Sequence, residues 1–319
     1  MTSLYIDRKG ISLHVQKDAL ILQENQERRA TIPLRLLERV ILISQVQLSA
    51  QVLSKLGELG IGVMVLGGLQ RNVHLLMPAK NDVNKRRWQY QYCDQNAVAL
   101  SKALLQAKIT AQASHLQQQG LVLNESWSHV LEQVDQAENL TRLLGIEGNA
   151  AKNYWQALAV LLNPEWQFTG RRKNPSLDPI NALLSLSYTL IYGESVRLIT
   201  AAGFDAYHGF YHQPNAQRAA LACDVMEPVR ALIDQWIWQQ ITNRTWQPQD
   251  FIYQQSACLL AKSPRQLYYQ LFESQAEDWK RALKQSIQNH LSNFYRQETE
   301  HLPTQWLDWE DVCNNTRDD

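Results

Sequence analysis

Three short stretches of this sequence carry side chains able to hold a divalent cation or to move a proton. The first is Gly145-Ile146-Glu147-Gly148, a carboxylate between two glycines, followed by Asn149-Ala150-Ala151. Glycine lets another backbone or a ligand come close, so little covers Glu147. An acid placed there also favours a helix N-terminus through the macrodipole, and the segment taken alone favours that plainer role. The second stretch, Gly203 to His212, is a Gly- and aromatic-rich loop holding two histidines, His208 and His212. Each is either a packed residue or a ligand, and the local sequence does not choose between them. The third places Asp224 and Glu227 three apart, on one face of a helix. Acids so placed repel by about 0.3 kcal/mol unless a cation stands near them. Their neighbours Ala222, Cys223, Val225 and Met226 are apolar, so this is no solvated charge stripe. Arg230, one turn beyond Glu227, offers a simple ion pair as the alternative to a metal.

Together these stretches supply oxygen ligands and one imidazole, a set suited to Mg²⁺ or Mn²⁺. A hard ion with few protein ligands keeps positions open for phosphate oxygens and can activate a hydroxyl. Other chemistries are missing: the sequence has no phosphate-binding loop, no G-x-S-x-G elbow, no H-E-x-x-H and no dinucleotide fingerprint. Two cationic clusters, Lys85-Arg86-Arg87 and Arg171-Arg172-Lys173, are either phosphate contacts or solvated surface.

These residues need elements to position them. A length of 319 residues suggests about two domains, and 45% hydrophobic against 19% charged residues suits a core-forming chain. The runs Leu4–Ile6, Ser12–Val15, Ala19–Leu22, Arg39–Ile43, Ile61–Leu66 and Val73–Leu76 read as strands. Between Arg39–Ile43 and Ile61–Leu66, Val52, Leu53, Leu56 and Leu59 have helical spacing, with Ser49 as N-cap and Gly60 as terminator. Residues 77–87 are polar, contain Pro78 and read as a linker. Beyond them the period turns helical, with helices expected at 97–121, 127–144, 149–162, 179–192, 196–202, 219–243, 265–271 and 278–295. The fold class expected is α+β: a β-rich domain at 1–83, a larger all-α domain at 84–297 and an acidic tail at 298–319. The tail carries seven acids against one base, a net −6, which leaves +6 on the body of a chain with zero net charge. A basic body fits a polyanionic partner.

The order of the motifs resembles a known family. GIEG-N-AA-K-NYW, then NPSLDPINALLSLSYTLIYGE, then GFD…GFYH and LACDVMEPVR resemble, in sequence, the motifs of the CRISPR-associated protein one family. SLYIDRKGISLHVQKDALIL, IPLRLLERVILIS and GIGVMVLGG agree with its N-terminal pattern. The likeness covers residues 1–295. It implies a metal-dependent DNA integrase and endonuclease that inserts short duplexes into a CRISPR array by transesterification, using Mg²⁺ or Mn²⁺. It implies Glu147, His212 and Glu227 as catalytic metal ligands, which selects His212 over His208, with Asp224 behind them and Asn181 and Tyr192 lining the same cavity. DNA (duplex, branched or single-stranded), a homodimer and the small CRISPR-associated protein two are the implied partners. The chain departs from the family pattern at Ala206, at Tyr207, His208 and Tyr211, and at Ala219-Ala220, where a Ser is usual. The alternative from another class is a catalytically silent DNA-binding scaffold of the same architecture.

Four scattered cysteines, with no C-x-x-C pair, point to a reducing compartment. No uninterrupted apolar run approaches about 18 residues, and MTSLYIDRKG has no signal-like region. A cytoplasmic location away from membranes is expected.

Overall fold

The computed structural model describes residues 2–67, 72–77, 82–121, 127–172, 175–212 and 218–298. These fall into two compact units, residues 2–82 with 197–204, and residues 83–196 with 205–298.

The first unit is built from strands β1 (Thr2–Ile6), β2 (Ile11–Gln16), β3 (Ala19–Glu24), β4 (Glu27–Pro33), β5 (Leu37–Leu42), β6 (Val46–Leu48), β7 (Gly62–Gly67) and β8 (Asn72–Leu76). They make two four-stranded sheets, ordered β1-β5-β7-β8 and β4-β3-β2-β6. β1, β5 and β7 run parallel, and the hydrophobic runs Val40-Ile41-Leu42 and Val63-Met64 are buried as a parallel ladder requires. Helix α1 (Ala50–Glu58) supplies the crossover between β5 and β7 by way of β6; the Ser49 hydroxyl accepts from the Val52 amide at 3.4 Å. Gly60 then turns the chain at φ +71°, a conformation open to glycine. Ile6, Leu13, Leu20, Val40, Leu56 and Val63, drawn from both sheets and α1, form one apolar core.

The second unit holds α2 (Val83–Gln118), α3 (Trp127–Gln136), α4 (Leu140–Ala159), α5 (Pro179–Ala201), α6 (Ala220–Thr242) and α7 (Lys262–Glu298). It is not purely helical. β9 (Phe251–Gln254) and β10 (Ala257–Leu260) form an antiparallel hairpin closed by Gln255 and Ser256, both at positive φ. The hairpin is absent from the sequence reading because its turn lacks the Gly or Asn that normally signals one. β4 went unread as well, since it follows a turn without glycine, Asn25-Gln26, with φ of +51° and +66°.

The expected linker also differs. Residues 83–87 are already helix, the first turns of α2. Expected breaks inside α5 and α7 are closed too, and each runs as one continuous helix. Glu147 lies in the middle of α4 rather than at a helix start. Gly145 and Gly148 are accommodated within that helix, and a Cβ at either would meet nothing within 4 Å.

A buried polar chain crosses the helices that carry the site. His115 of α2 lies 2.7 Å from the Tyr154 hydroxyl of α4, which donates to Asp234 of α6 at 3.3 Å. The Tyr188 hydroxyl of α5 donates to the other Asp234 oxygen. Burial pushes the Asp234 carboxyl up to about 7 against the opposing pull of Tyr188, Arg171, Arg230 and Tyr154. Folded protein therefore keeps a proton that the unfolded chain, at its ordinary 3.8, releases. The Asp234 contribution to stability should fall by about 1.4 kcal/mol per pH unit as pH rises through that window, then level off. Asp234→Asn, whose amide still meets both hydroxyls, should lose about 2 kcal/mol less than the native chain between about pH 5 and about pH 7 in urea unfolding. Equal losses in both would refute the assignment.

Candidate metal centre

The site is assembled by a loop and a helix that satisfy each other's backbone. α6 starts at Ala219 with no side-chain cap. Its exposed amides are met otherwise: the Ala206 carbonyl accepts from Leu221 at 3.0 Å and from Ala222 at 3.4 Å, and the Tyr192 hydroxyl accepts from Ala219 at 2.9 Å. In return Asp224, fully buried on the first turns of α6, accepts from three successive loop amides. Phe210 and Tyr211 donate to Oδ2 at 2.8 and 3.1 Å, and His212 donates to Oδ1 at 2.9 Å. Gly209 is fixed by this packing, since a Cβ there would fall 2.5 Å from Asp224 Oδ2 and 2.9 Å from the backbone of Ala220 and Leu221.

α2 and α7 hold the loop from the other side. Gln89, wholly buried, donates to the carbonyls of Asp205 and His208, each at 2.8 Å, and accepts from the Asp205 amide at 2.8 Å. The Tyr90 hydroxyl donates to Asp205 at 2.6 Å, and Phe210 stacks on His290 with centroids 5.3 Å apart. His208 faces outward to Asp94, at 3.1 Å. His212 faces inward: its Nδ1 lies 2.6 Å from Asp224 Oδ1, and its Nε2 lies 3.8 Å from Glu227 Oε1. Asp224 thus fixes the ring so that Nε2 is the nitrogen presented to Glu227.

Glu227 and Glu147 meet on either side of one cation, Lys108 of α2. Its ammonium donates to Glu147 Oε1 and stands 2.7 Å from Glu227 Oε2. That Glu227 oxygen is buried and accepts no hydrogen bond of good geometry. Arg230 Nε lies 3.0 Å from the other Glu227 oxygen, and its guanidinium sits 4.8 Å above the Tyr188 ring. The Tyr211 hydroxyl donates to Glu147 Oε2 at 2.6 Å. Burial opposes ionisation of Glu227, but Arg230, Lys108 and His212 outweigh it and hold the carboxyl down to about 2. Burial also opposes the Lys108 charge, and Glu227 and Glu147 overcome it, raising the ammonium's pKa. Among the described residues, no three His, Cys, Asp or Glu side chains converge closely enough to hold a metal ion as they stand. In donor chemistry the groups still fit a divalent ion: a cation already bridges the two carboxylates, an oxygen of one lacks a hydrogen bond, and an imidazole nitrogen faces them.

The other expected site residues make contacts of their own. The Asn181 carboxamide accepts from the Arg171 guanidinium and the Arg172 amide, both at 2.8 Å, and donates to Gly170 and Asp178. It therefore ties Gly170, Arg171 and Arg172 to Asp178 at the start of α5. Tyr192 props the start of α6. The Arg171 guanidinium, half-buried, contacts Asn181, Ser185 and the face of Tyr188, and burial lowers its pKa. Arg172 and Arg87 are exposed, Lys85 and Arg86 half-buried, and Lys173 lies outside the described residues.

Known proteins share this arrangement of elements and sequence. The family model described as CRISPR associated protein Cas1 matches residues 4–274. The chain belongs to the Cas1 family. It is 30% identical over 292 residues to a protein of Thermodesulfovibrio yellowstonii named CRISPR-associated endonuclease Cas1 1, covering 86% of this chain and 91% of the relative. A solved structure described as a casposase bound to integration product superposes with a TM-score of 0.83 at 18% identity, covering 98% of each chain. A Cas6-RT-Cas1–Cas2 complex contains a chain with a TM-score of 0.79 at 24% identity, covering 93% of this chain and 35% of that one. These superpositions show the Cas1 fold, and no helix among the described residues is long and apolar enough to cross a membrane.

Within this Cas1 chain, sequence reading missed Lys108, Tyr211 as a ligand to Glu147, and Gln89. For Lys108 a signal existed: it interrupts the buried stripe Leu104, Leu105, Ile109 and Gln112. Gly209→Ala should force the loop off Asp224 and lower stability by about 2 kcal/mol, measured by urea unfolding. An unchanged midpoint would refute the mutual packing of loop and helix.

Proposed function

We propose that this Cas1 protein is a metal-dependent DNA integrase and endonuclease that inserts short duplexes into a CRISPR array. The observation carrying this reading is the pair Glu147 and Glu227 on either side of the Lys108 ammonium, with Nε2 of His212 3.8 Å from Glu227. Glu147, Glu227 and the His212 Nε2 would hold Mg²⁺ or Mn²⁺, which supplies charge neutralisation at a phosphoryl centre and activation of an attacking hydroxyl. The chain's own residues do the positioning. Asp224 holds the imidazole orientation, Tyr211 anchors Glu147, and Arg230 steadies Glu227 on α6. Catalysis of this kind rests on holding a terminal DNA 3′-hydroxyl in line with a phosphodiester and on stabilising developing charge. The transesterification exchanges one phosphodiester for another, so the attacking hydroxyl proton leaves and the displaced oxygen regains one.

Names borne by relatives, an endonuclease and an integration-product complex, support the reaction class. The Cas2 named in the solved complex supports CRISPR-associated protein two as partner. A homodimer would use the strand-bearing unit, whose sheets end in β1, β8, β4 and β6. A cytoplasmic location follows from a CRISPR array as substrate. Arg87 and Arg172 are the phosphate contacts proposed here, since both are exposed. The silent-scaffold reading draws on the Lys108 bridge, which keeps both carboxylates engaged.

The deciding assay is transfer of a labelled duplex into a supercoiled CRISPR plasmid, with CRISPR-associated protein two and Mg²⁺ or Mn²⁺. Glu227→Gln and His212→Ala should each reduce transfer at least about 100-fold. Full activity in both variants would overturn the site, and no transfer by the native chain would favour the scaffold. For DNA binding, replacing Arg87 or Arg172 with Ala should each reduce the salt slope of log affinity by about 1. An unchanged slope would remove that residue from the interface.

A further inference from the structure

We infer that Lys108 is the resident counter-cation of the Glu147–Glu227 pair, so that a divalent ion enters this site by displacing the Lys108 ammonium. The inference rests on the metal-site reading above and adds what that reading lacks, the occupant that must leave.

Charge decides the matter first. The two carboxylates are already balanced by two cations, Lys108 and Arg230. A divalent ion added to a carboxylate pair already balanced by two resident cations gains less from attraction than it would after one of them withdraws. Geometry then says which. Arg230 lies one turn from Glu227 on the same helix and stacks 4.8 Å above Tyr188. Lys108 reaches in from α2 on a flexible four-carbon stem, and its ammonium stands between the two carboxylates. The ammonium stands 2.7 Å from Glu227 Oε2, a buried oxygen that no other donor among the described residues meets. The arrangement makes metal loading conditional: ions that cannot compete with a buried ammonium are kept out, and the carboxylates stay paired when no ion is bound.

The test is equilibrium Mn²⁺ binding to the full chain, native, Lys108→Met and Lys108→Gln, read by the loss of the free-ion electron paramagnetic signal. If the bridged state holds nine-tenths or more of the population, its removal should tighten binding by about tenfold or more. A parallel readout needs no variant: acylation of Lys108 in the native chain, followed by mass spectrometry, should be slow in chelator and several-fold faster with Mn²⁺, with Lys102 as internal reference. Equal or weaker Mn²⁺ binding in both variants, or Lys108 acylation indifferent to Mn²⁺, overturns the displacement and leaves the metal site standing. If Mn²⁺ binds none of the three proteins, the metal-site reading falls, and this inference with it.

Discussion

The structure around the site depends on one buried carboxylate. Asp224 has no exposure to solvent, and an ionised side chain in that position is tolerable only if several donors meet it. The amides of Phe210, Tyr211 and His212 and the His212 ring do so. The dependence is mutual, because three loop amides buried without a partner would each cost about 1–3 kcal/mol. Loop and helix are therefore stable only together, and the pairing that stabilises them also orients the imidazole. Gly209 is the steric condition for it, and Gln89 the clamp at the far end of the loop.

A second layer of order is electrostatic. Glu147 comes from α4, Glu227 and Arg230 from α6, and Lys108 from α2. Buried charges of this kind are kept for a reason other than stability, since an apolar replacement of matching volume is often no less stable. On the reading proposed above, the cluster is a cation site in which the cation can change. Behind it the chain from His115 through Tyr154 and Asp234 to Tyr188 ties four helices together, and Arg230 links that chain to Glu227 by resting on Tyr188.

Much of this was legible in the residues. The dense runs Val40–Leu42 and Val63–Leu66 are strands, Ser49 caps its helix, and the Asp224–Glu227 pair with apolar neighbours does lie on one buried helix face. What escaped had physical causes. Glycine weakens a helix by about 1 kcal/mol, so Gly145 and Gly148 looked like boundaries, yet the packing of α4 carries the helix through them. Turns at Asn25-Gln26 and Gln255-Ser256 adopt positive φ without glycine. Arg171 looked like surface in a basic triplet, but its stem and guanidinium are folded back onto Asn181 and Tyr188. Lys108 interrupts the buried stripe of α2, but only the fold brings two distant acids to it.

The most direct measurement is a crystal structure of the full chain with Mn²⁺, phased to show the ion by its anomalous signal. The account predicts one ion within about 2.3 Å of oxygens of Glu147 and Glu227 and of the His212 Nε2, with Asp224 still on Nδ1 and the Lys108 ammonium withdrawn. An ion bound elsewhere, or a Lys108 bridge intact beside a fully occupied ion, would contradict it.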